Sequence, residues 1–284
     1  MYSQAVTQQH RSALVVMIDR SSSMQGEVCI NGVMMTKGEA VVMICNYLID
    51  EILIRSVRGG EFRDYFDFAI LGYGNNQVTS LLTPTIGFVS SRYLVNNQPP
   101  TADYHFQCRD TDNTFNLTLH QWIKPEARGN TPMLSALRHT LHLVQKWCSQ
   151  AENRDSFPPM VINITDGEFA DNDEAELLDT ATQIKCCATG DGATLLINIH
   201  LSSKEGAAQV IFPTEQEFVA TNSEEELLFA MASKLPETFK SAIDEFKHCT
   251  TEGNYRCVAF NATAIEILSI LDIGTESQFE ASRI

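Results

Sequence analysis

Residues 13–24 have the sequence ALVVMIDRSSSM, in which an apolar segment ends at an aspartate and a serine-rich turn. In a strand with one solvent-exposed face, polar and apolar residues alternate. The residues from Ala13 to Ile18 are all apolar, so they predict a strand that is buried on both faces of a sheet. Three later segments have the same character: residues 66–73 (FDFAILGY), 160–165 (MVINIT) and 193–200 (ATLLINIH).

Longer segments with helical periodicity separate these strands. Residues 37–55 and 132–150 each place apolar side chains three or four positions apart, which is typical of a helix with one buried face. Buried strands that alternate with helices imply parallel strand pairing. The predicted fold class is therefore α/β, with a doubly wound, mostly parallel central sheet and helices on both faces.

The chain is expected to form one domain over residues 1–250, with an insertion at about 74–129. The insertion is rich in Asn, Pro, Thr and aromatic residues, and it predicts a short strand near 78–82 and a hairpin before Trp122. Residues 251–284 are expected to form a C-terminal extension, packed on the domain or trailing from it.

Two helix signals occur late in the chain. Asp171 followed by Glu174 resembles a capping box and predicts a helix that runs to about Thr189. The segment from Ala264 to Leu271 predicts one further helix in the C-terminal extension.

The charge balance excludes several classes of partner. The chain carries 36 acidic and 20 basic residues, for a formal net charge of −16. Nucleic acids and anionic membrane surfaces both require basic patches, so neither is an expected partner. Because the run from Ala13 to Ile18 is too short for a signal-peptide core or a membrane span, a soluble cytoplasmic protein is expected. The oligomeric state is left open.

The eight cysteines do not have the spacing of a metal or disulfide framework. No C-x-x-C pair is present, and the one close pair is the adjacent Cys186 and Cys187. We therefore expect the cysteines to be reduced and mostly buried.

Three oxygen-rich stretches mark a candidate site. They are residues 19–24 (DRSSSM), residues 129–132 (GNTP) and residues 165–167 (TDG). Ligands of open α/β sheets bind at the loops that leave the carboxyl ends of the strands, where these stretches are expected. Carboxylate and hydroxyl oxygens suit a hard divalent cation, with Mg²⁺ expected and Mn²⁺ or Ca²⁺ as alternatives. Neutral hydroxyls leave much of the metal charge uncompensated, so an anionic ligand is expected as well.

The D-x-S-x-S, G-x-T-P and T-D-G motifs, in this order, resemble the metal-ion-dependent adhesion site of von Willebrand factor type A domains. The resemblance spans about residues 12–248. It implies that Ser21, Ser23 and Thr131 bind the metal directly, with Asp19 and Asp166 in or next to its coordination sphere. It also implies a protein partner that presents an Asp or Glu carboxylate to the metal.

Within that family, the chain is similar to free-standing bacterial members of the tellurium-resistance type. This similarity implies a link to a protein kinase and a PP2C-type phosphatase. Ser22 stands where many relatives have glycine, and Arg20 beside the site is a candidate for tuning which acidic partner fits.

Three other interpretations remain open at this level. Asp19 at a strand end could serve a Mg²⁺-dependent phosphatase, although that chemistry needs a second carboxylate where Ser21 stands. A scaffold without metal is the second alternative. Thr131 could also be an ordinary helix N-cap, a role that competes for the same hydroxyl. The binding-module interpretation, with no enzymatic activity, is preferred.

Overall fold

The apolar segments form the centre of one sheet in the computed structural model of the chain. The structure describes residues 2–30, 33–107, 114–167, 174–201, 209–248 and 253–261. The strands are β1 (Ser12–Asp19), β2 (Glu27–Ile30), β3 (Val33–Thr36), β4 (Val57–Arg58), β5 (Glu61–Phe62), β6 (Phe66–Gly74), β7 (Gln77–Ser80), β8 (Val89–Ser90), β9 (Thr101–Gln107), β10 (Thr114–His120), β11 (Met160–Thr165), β12 (Leu195–His200), β13 (Val210–Ile211) and β14 (Val258–Phe260). The helices are α1 (Lys37–Arg55), α2 (Ser91–Asn96), α3 (Met133–Cys148), α4 (Glu174–Cys186), α5 (Ser223–Met231) and α6 (Lys240–Lys247).

The central sheet has the strand order β13-β14-β12-β11-β1-β6-β7, and β8 also pairs with β6. Neighbouring strands from β14 to β6 are parallel. The outer strands β7, β8 and β13 are antiparallel to their neighbours. The predicted doubly wound, mostly parallel α/β fold is confirmed.

Strand β1 lies at the middle of the sheet and packs on both faces. Leu14, Val16 and Ile18 belong to a core shared with α1 and α6, whereas Val15 and Met17 belong to a core shared with α3, α4 and α5. All eight residues of the strand are buried. Alternate side chains of the strand point to opposite faces of the sheet, and each face packs against its own layer of helices. This explains why the apolar run is continuous.

The predicted insertion begins with a tight hairpin between β6 and β7. Asn75 and Asn76 have φ angles of 51° and 59°, the left-handed conformation that a two-residue type I′ turn needs at both central positions. Beyond β7, the insertion adds β8, α2 and the antiparallel hairpin β9–β10, which ends just before Trp122 as expected.

Asp50 of α1 fastens this second hairpin to the domain. Its carboxylate accepts hydrogen bonds from the backbone N–H and Nδ1 of His120, at 2.9 and 3.0 Å, and from Nε1 of Trp122 at 2.7 Å. Asn46, one turn earlier, exchanges two hydrogen bonds with the backbone of Ile123. The insertion is thus tied to α1 by buried polar contacts.

The start of one helix differs from the sequence prediction. Helix α3 begins at Met133, with Pro132 as the residue before it and without a side-chain cap, so Thr131 is not the N-cap. Strand β14 belongs to the predicted C-terminal extension and pairs with β12 in the central sheet. The predicted Asp171 cap and the Ala264–Leu271 helix lie outside the described residues.

The five cysteines whose side chains are described are free thiols. Cys45 and Cys257 are buried, as expected, whereas Cys148 and Cys187 are half-buried and Cys186 is exposed. Among the described residues, no helix combines the length and apolar character needed to cross a bilayer.

Replacing Asp50 by alanine should destabilise the fold, because three donors would lose their common charged acceptor. Asp50→Ala should lower the free energy of unfolding by about 3 kcal/mol, as measured by urea denaturation. The matched control is Glu51→Ala, which removes only a partly exposed ion pair with Arg55 and should cost less than about 1 kcal/mol. Equal losses in the two variants would contradict this role of Asp50.

Candidate metal site

The predicted carboxylates meet because their strands are neighbours. Strands β1 and β11 are parallel, with Ile18 paired to Ile164, so both strands end at the same edge of the sheet. Asp19 is the last residue of β1, and Asp166 directly follows β11. The strand register therefore brings together two carboxylates that are far apart in the sequence.

Asp19 is fully buried, and internal donors hold its carboxylate. Oδ1 accepts the Ser21 backbone N–H at 2.9 Å, and Oδ2 accepts the Thr165 hydroxyl at 2.8 Å. Burial raises the pKa of Asp19 from 3.8 to about 6, because the hydrogen bonds from Ser21 and Thr165 offset only part of the lost hydration. A cation beside this carboxylate would reverse that shift.

The two predicted serines link the carboxylates. Ser21 Oγ lies 2.9 Å from Ser23 Oγ, and Ser23 Oγ donates to Asp166 Oδ1 at 2.9 Å. A short 3-10 turn over Ser22–Gln25 places the two hydroxyls on the same side, while Ser22 between them is exposed. Four of the five predicted site residues thus belong to one hydrogen-bonded cluster.

The loop that carries Thr131 packs directly against the loop that carries the serines. Ser22 N–H donates to the Gly129 carbonyl at 2.9 Å, and Arg128 N–H donates to the Arg20 carbonyl at 2.7 Å. Thr131 itself is 2 % exposed. The N-cap position of α3 is Pro132, one residue after Thr131.

Gly129 allows this close approach of loops. Its φ angle is +70°, and a Cβ at this position would lie 2.5 Å from Asn75 Cα in the β6–β7 turn. The insertion therefore borders the site at its first turn and again at the residues just before Thr131.

A lysine that the sequence analysis did not single out also reaches the cluster. Lys37 Nζ lies 3.1 Å from Asp166 Oδ2, and the two side chains are 7 % and 1 % exposed. Lys37 is the first residue of α1, where the helix dipole disfavours a cation. A lysine at this unfavourable position is the one sequence signal that could have indicated an acidic partner for Lys37.

His200, at the end of β12, supports the other side of Asp166. Its Nε2 donates to the Asp166 carbonyl at 2.9 Å, so the neutral ring carries its proton there. Burial lowers the pKa of His200. Gly167 has a φ angle of +85°, and a Cβ there would lie 2.8 Å from His200 Nε2. The ring thus fixes the Asp166–Gly167 turn and explains the glycine of the T-D-G motif.

A hydrogen-bonded series of buried polar side chains crosses the sheet from β6 to β12. Tyr73 Oη donates to Asn163 Oδ1 at 2.8 Å, Asn163 Nδ2 donates to Asn198 Oδ1 at 3.1 Å, and Asn198 Nδ2 donates to the Leu228 carbonyl at 2.8 Å. Burial, followed by the nearby charge of Asp19, raises the pKa of Tyr73 well above its usual value. This hydrogen-bonded series connects β6, β11 and β12 to helix α5.

Arg20 lies on the rim of the site rather than in the cluster. Its guanidinium pairs with Glu126, which also pairs with Arg128. These residues, with Gly72 and Gln77, line a cleft that the insertion helps to form.

The donor set fits a hard divalent ion. It offers two carboxylates and neighbouring hydroxyls within hydrogen-bond reach of one another, and Asp19 is buried where a negative charge lacks compensation. Within the described part of the chain, no group of three or more His, Cys, Asp or Glu side chains could hold a metal. An ion here would therefore depend on hydroxyl oxygens as well as on Asp19 and Asp166.

No protein-family model matches the chain, and no curated protein matches it. Among solved structures, it is similar to the VWA domain of SpRpn10, at 13 % identity and a TM-score of 0.42, over 78 % of this chain and 83 % of that one. It is similar to the manganese-loaded TRAP protein of Plasmodium vivax, at 13 % identity and a TM-score of 0.44. This match covers 93 % of this chain and 72 % of that one. An aerotolerance-related membrane protein from Bacteroides fragilis NCTC 9343 has 11 % identity and a TM-score of 0.35, over 78 % and 86 %. Similarity at this level does not identify a ligand or a partner of this chain.

The raised pKa of Asp19 predicts a specific pH dependence of the metal-free protein. Because the folded-state pKa of Asp19 lies above the unfolded value, its protonation contributes full stability below about pH 4, and this contribution is lost as the pH rises through about 6. In EDTA, Asp19 should therefore cost the folded state about 3 kcal/mol at neutral pH. The measurement is urea unfolding of the wild type and Asp19→Asn between pH 4 and 7.

The difference in stability between these two proteins isolates Asp19 from the other titrating groups. The free energy of unfolding of Asp19→Asn should increase relative to that of the wild type as the pH rises from 4 to 7. A difference that stays constant over this pH range would contradict the buried, uncompensated carboxylate.

Proposed function

We propose that the chain is a protein-binding module of the von Willebrand factor A type that depends on a divalent cation. The observation that carries the proposal is the cluster formed by Asp19, Ser21, Ser23 and Asp166 at the ends of two neighbouring parallel strands. Thr131, on the loop packed against this cluster, completes the proposed ligand set. Mg²⁺ is the proposed ion, with Mn²⁺ and Ca²⁺ as alternatives.

The chemistry of the donors suggests how the site would use the ion. The cation would supply a positive charge at a place where hydroxyls leave that charge largely unneutralised. An Asp or Glu side chain of another protein is the proposed anionic ligand. The chain as a whole is acidic, with a net charge of −16, so a metal would give an acidic partner a local attraction that the rest of the surface does not offer.

Specificity is proposed to come from the insertion. Its residues Glu126 and Arg128 lie with Arg20 on the rim of the site, next to Thr131 in the chain. The resemblance of the sequence to tellurium-resistance-type members extends the proposal to partners in a bacterial kinase and phosphatase system.

The phosphatase alternative is less well supported. Asp19 is 0 % exposed, and both of its carboxylate oxygens accept internal hydrogen bonds, so a nucleophilic attack on a phosphoryl group would require these contacts to open. The position where an acid or base is required is occupied by Ser21. We therefore propose a binding function rather than an enzymatic one.

The metal site can be tested by isothermal titration calorimetry with Mn²⁺ and Mg²⁺. The wild type should bind one ion, Asp19→Ala should abolish binding, and Ser21→Ala should weaken it at least about tenfold through the loss of one ligand. Ser22→Ala is the matched control, because this exposed serine in the same turn contacts the neighbouring loop only through its backbone. Unchanged affinity in Asp19→Ala would refute the site.

Partner capture provides an independent test. Protein captured by the immobilised chain in the presence of Mg²⁺ should be released by EDTA, because the proposed contact passes through the ion. Asp166→Ala should capture nothing above background, whereas Ser22→Ala should behave like the wild type. Capture that is indifferent to EDTA and to Asp166→Ala would favour a scaffold without metal.

A further inference from the structure

The salt bridge between Lys37 and Asp166 places a cation of the protein itself at the proposed metal site. The ammonium is 3.1 Å from Asp166 Oδ2, while the other oxygen of that carboxylate accepts the Ser23 hydroxyl. One of the two proposed metal-binding carboxylates is therefore already satisfied by two donors. Both side chains of the salt bridge are buried, so water screens the ammonium only weakly.

The local fold holds Lys37 in this place. Strands β2 and β3 form a hairpin, with Glu27 paired to Thr36, which returns the chain to the serine turn it has just left. Lys37 N–H then donates to the Gly26 carbonyl at 2.8 Å. The side chain of Lys37 runs past Gly26, where a Cβ would lie 3.4 Å from Lys37 Cε.

The start of α1 is fixed as well. Thr36 accepts the Glu39 backbone N–H, and the Glu39 carboxylate accepts the Thr36 N–H, which forms a capping box. The backbone of Lys37 is therefore anchored on both sides, and its ammonium is directed at Asp166 rather than at solvent.

We propose that the Lys37 ammonium is a tethered competitor of the divalent cation for Asp166, and that it keeps metal affinity low in the free protein. The inference rests on the proposed metal-dependent function. Without a metal, the ammonium neutralises one of the two buried carboxylates. When a divalent ion binds, the two cations repel each other at short range, so the ammonium must withdraw or the ion must bind weakly.

The competition has a consequence for partner binding. A partner carboxylate would add a negative charge next to both cations, so it would lower their mutual repulsion. Metal and partner would then strengthen each other's binding, since any such coupling is reciprocal.

The test compares Lys37→Gln with Lys37→Arg by calorimetric titration with Mn²⁺ at neutral pH. Glutamine removes the charge but keeps a hydrogen-bond donor for Asp166, whereas arginine keeps the charge. Lys37→Gln should bind Mn²⁺ at least about tenfold more tightly than the wild type, and Lys37→Arg should not bind more tightly. Equal or weaker binding by Lys37→Gln would overturn the proposal.

A second readout does not depend on affinity. In EDTA, Lys37→Gln should have a lower melting temperature than the wild type, because Asp166 loses its countercharge. Saturating Mn²⁺ should then raise the melting temperature more in Lys37→Gln than in the wild type. Equal increases in the two proteins would also contradict the proposal.

The outcomes separate the two hypotheses. If the wild type and Lys37→Gln bind Mn²⁺ equally, the competition is absent but the proposed metal site stands. If neither binds Mn²⁺, the metal-dependent function fails together with the inference that rests on it.

Discussion

The burial of two carboxylates at the ends of adjacent strands is the constraint on which this structure depends. Asp19 and Asp166 are held in place by hydroxyl and backbone donors, but none of those donors carries a positive charge. The cost of this arrangement appears in the raised pKa of Asp19. Lys37 compensates Asp166 from within the chain, and a divalent ion would compensate both carboxylates.

Much of the fold follows from patterns within single segments. The apolar run of β1 predicted a strand buried on both faces, and the structure explains each residue by one of two helix layers. The proximity of the D-x-S-x-S and T-D-G residues could be predicted because each motif is local in the sequence and because parallel strands end at a common edge. In contrast, β14 could not be predicted from the sequence, because a strand of three residues is too short to give a recognisable pattern.

The residues that sequence reasoning missed are those brought in by tertiary pairing. Lys37 reaches Asp166 only because the β2–β3 hairpin returns the chain to Gly26, and no sequence motif predicts the register of that hairpin. His200 contacts the Asp166 carbonyl because β12 is the neighbour of β11, which is a property of strand order. Tyr73, Asn163 and Asn198 are likewise separate polar residues in sequence and a connected chain only in the sheet.

The edges of the central sheet bear on how this molecule meets other chains. The described sheet ends in β13 with two residues on one side, and in β7 and β8 with four and two residues on the other. Edges this short offer few unpaired backbone groups for a strand from another molecule. Extension of the central sheet by intermolecular pairing is therefore disfavoured, which protects a strongly apolar sheet from edge-to-edge aggregation.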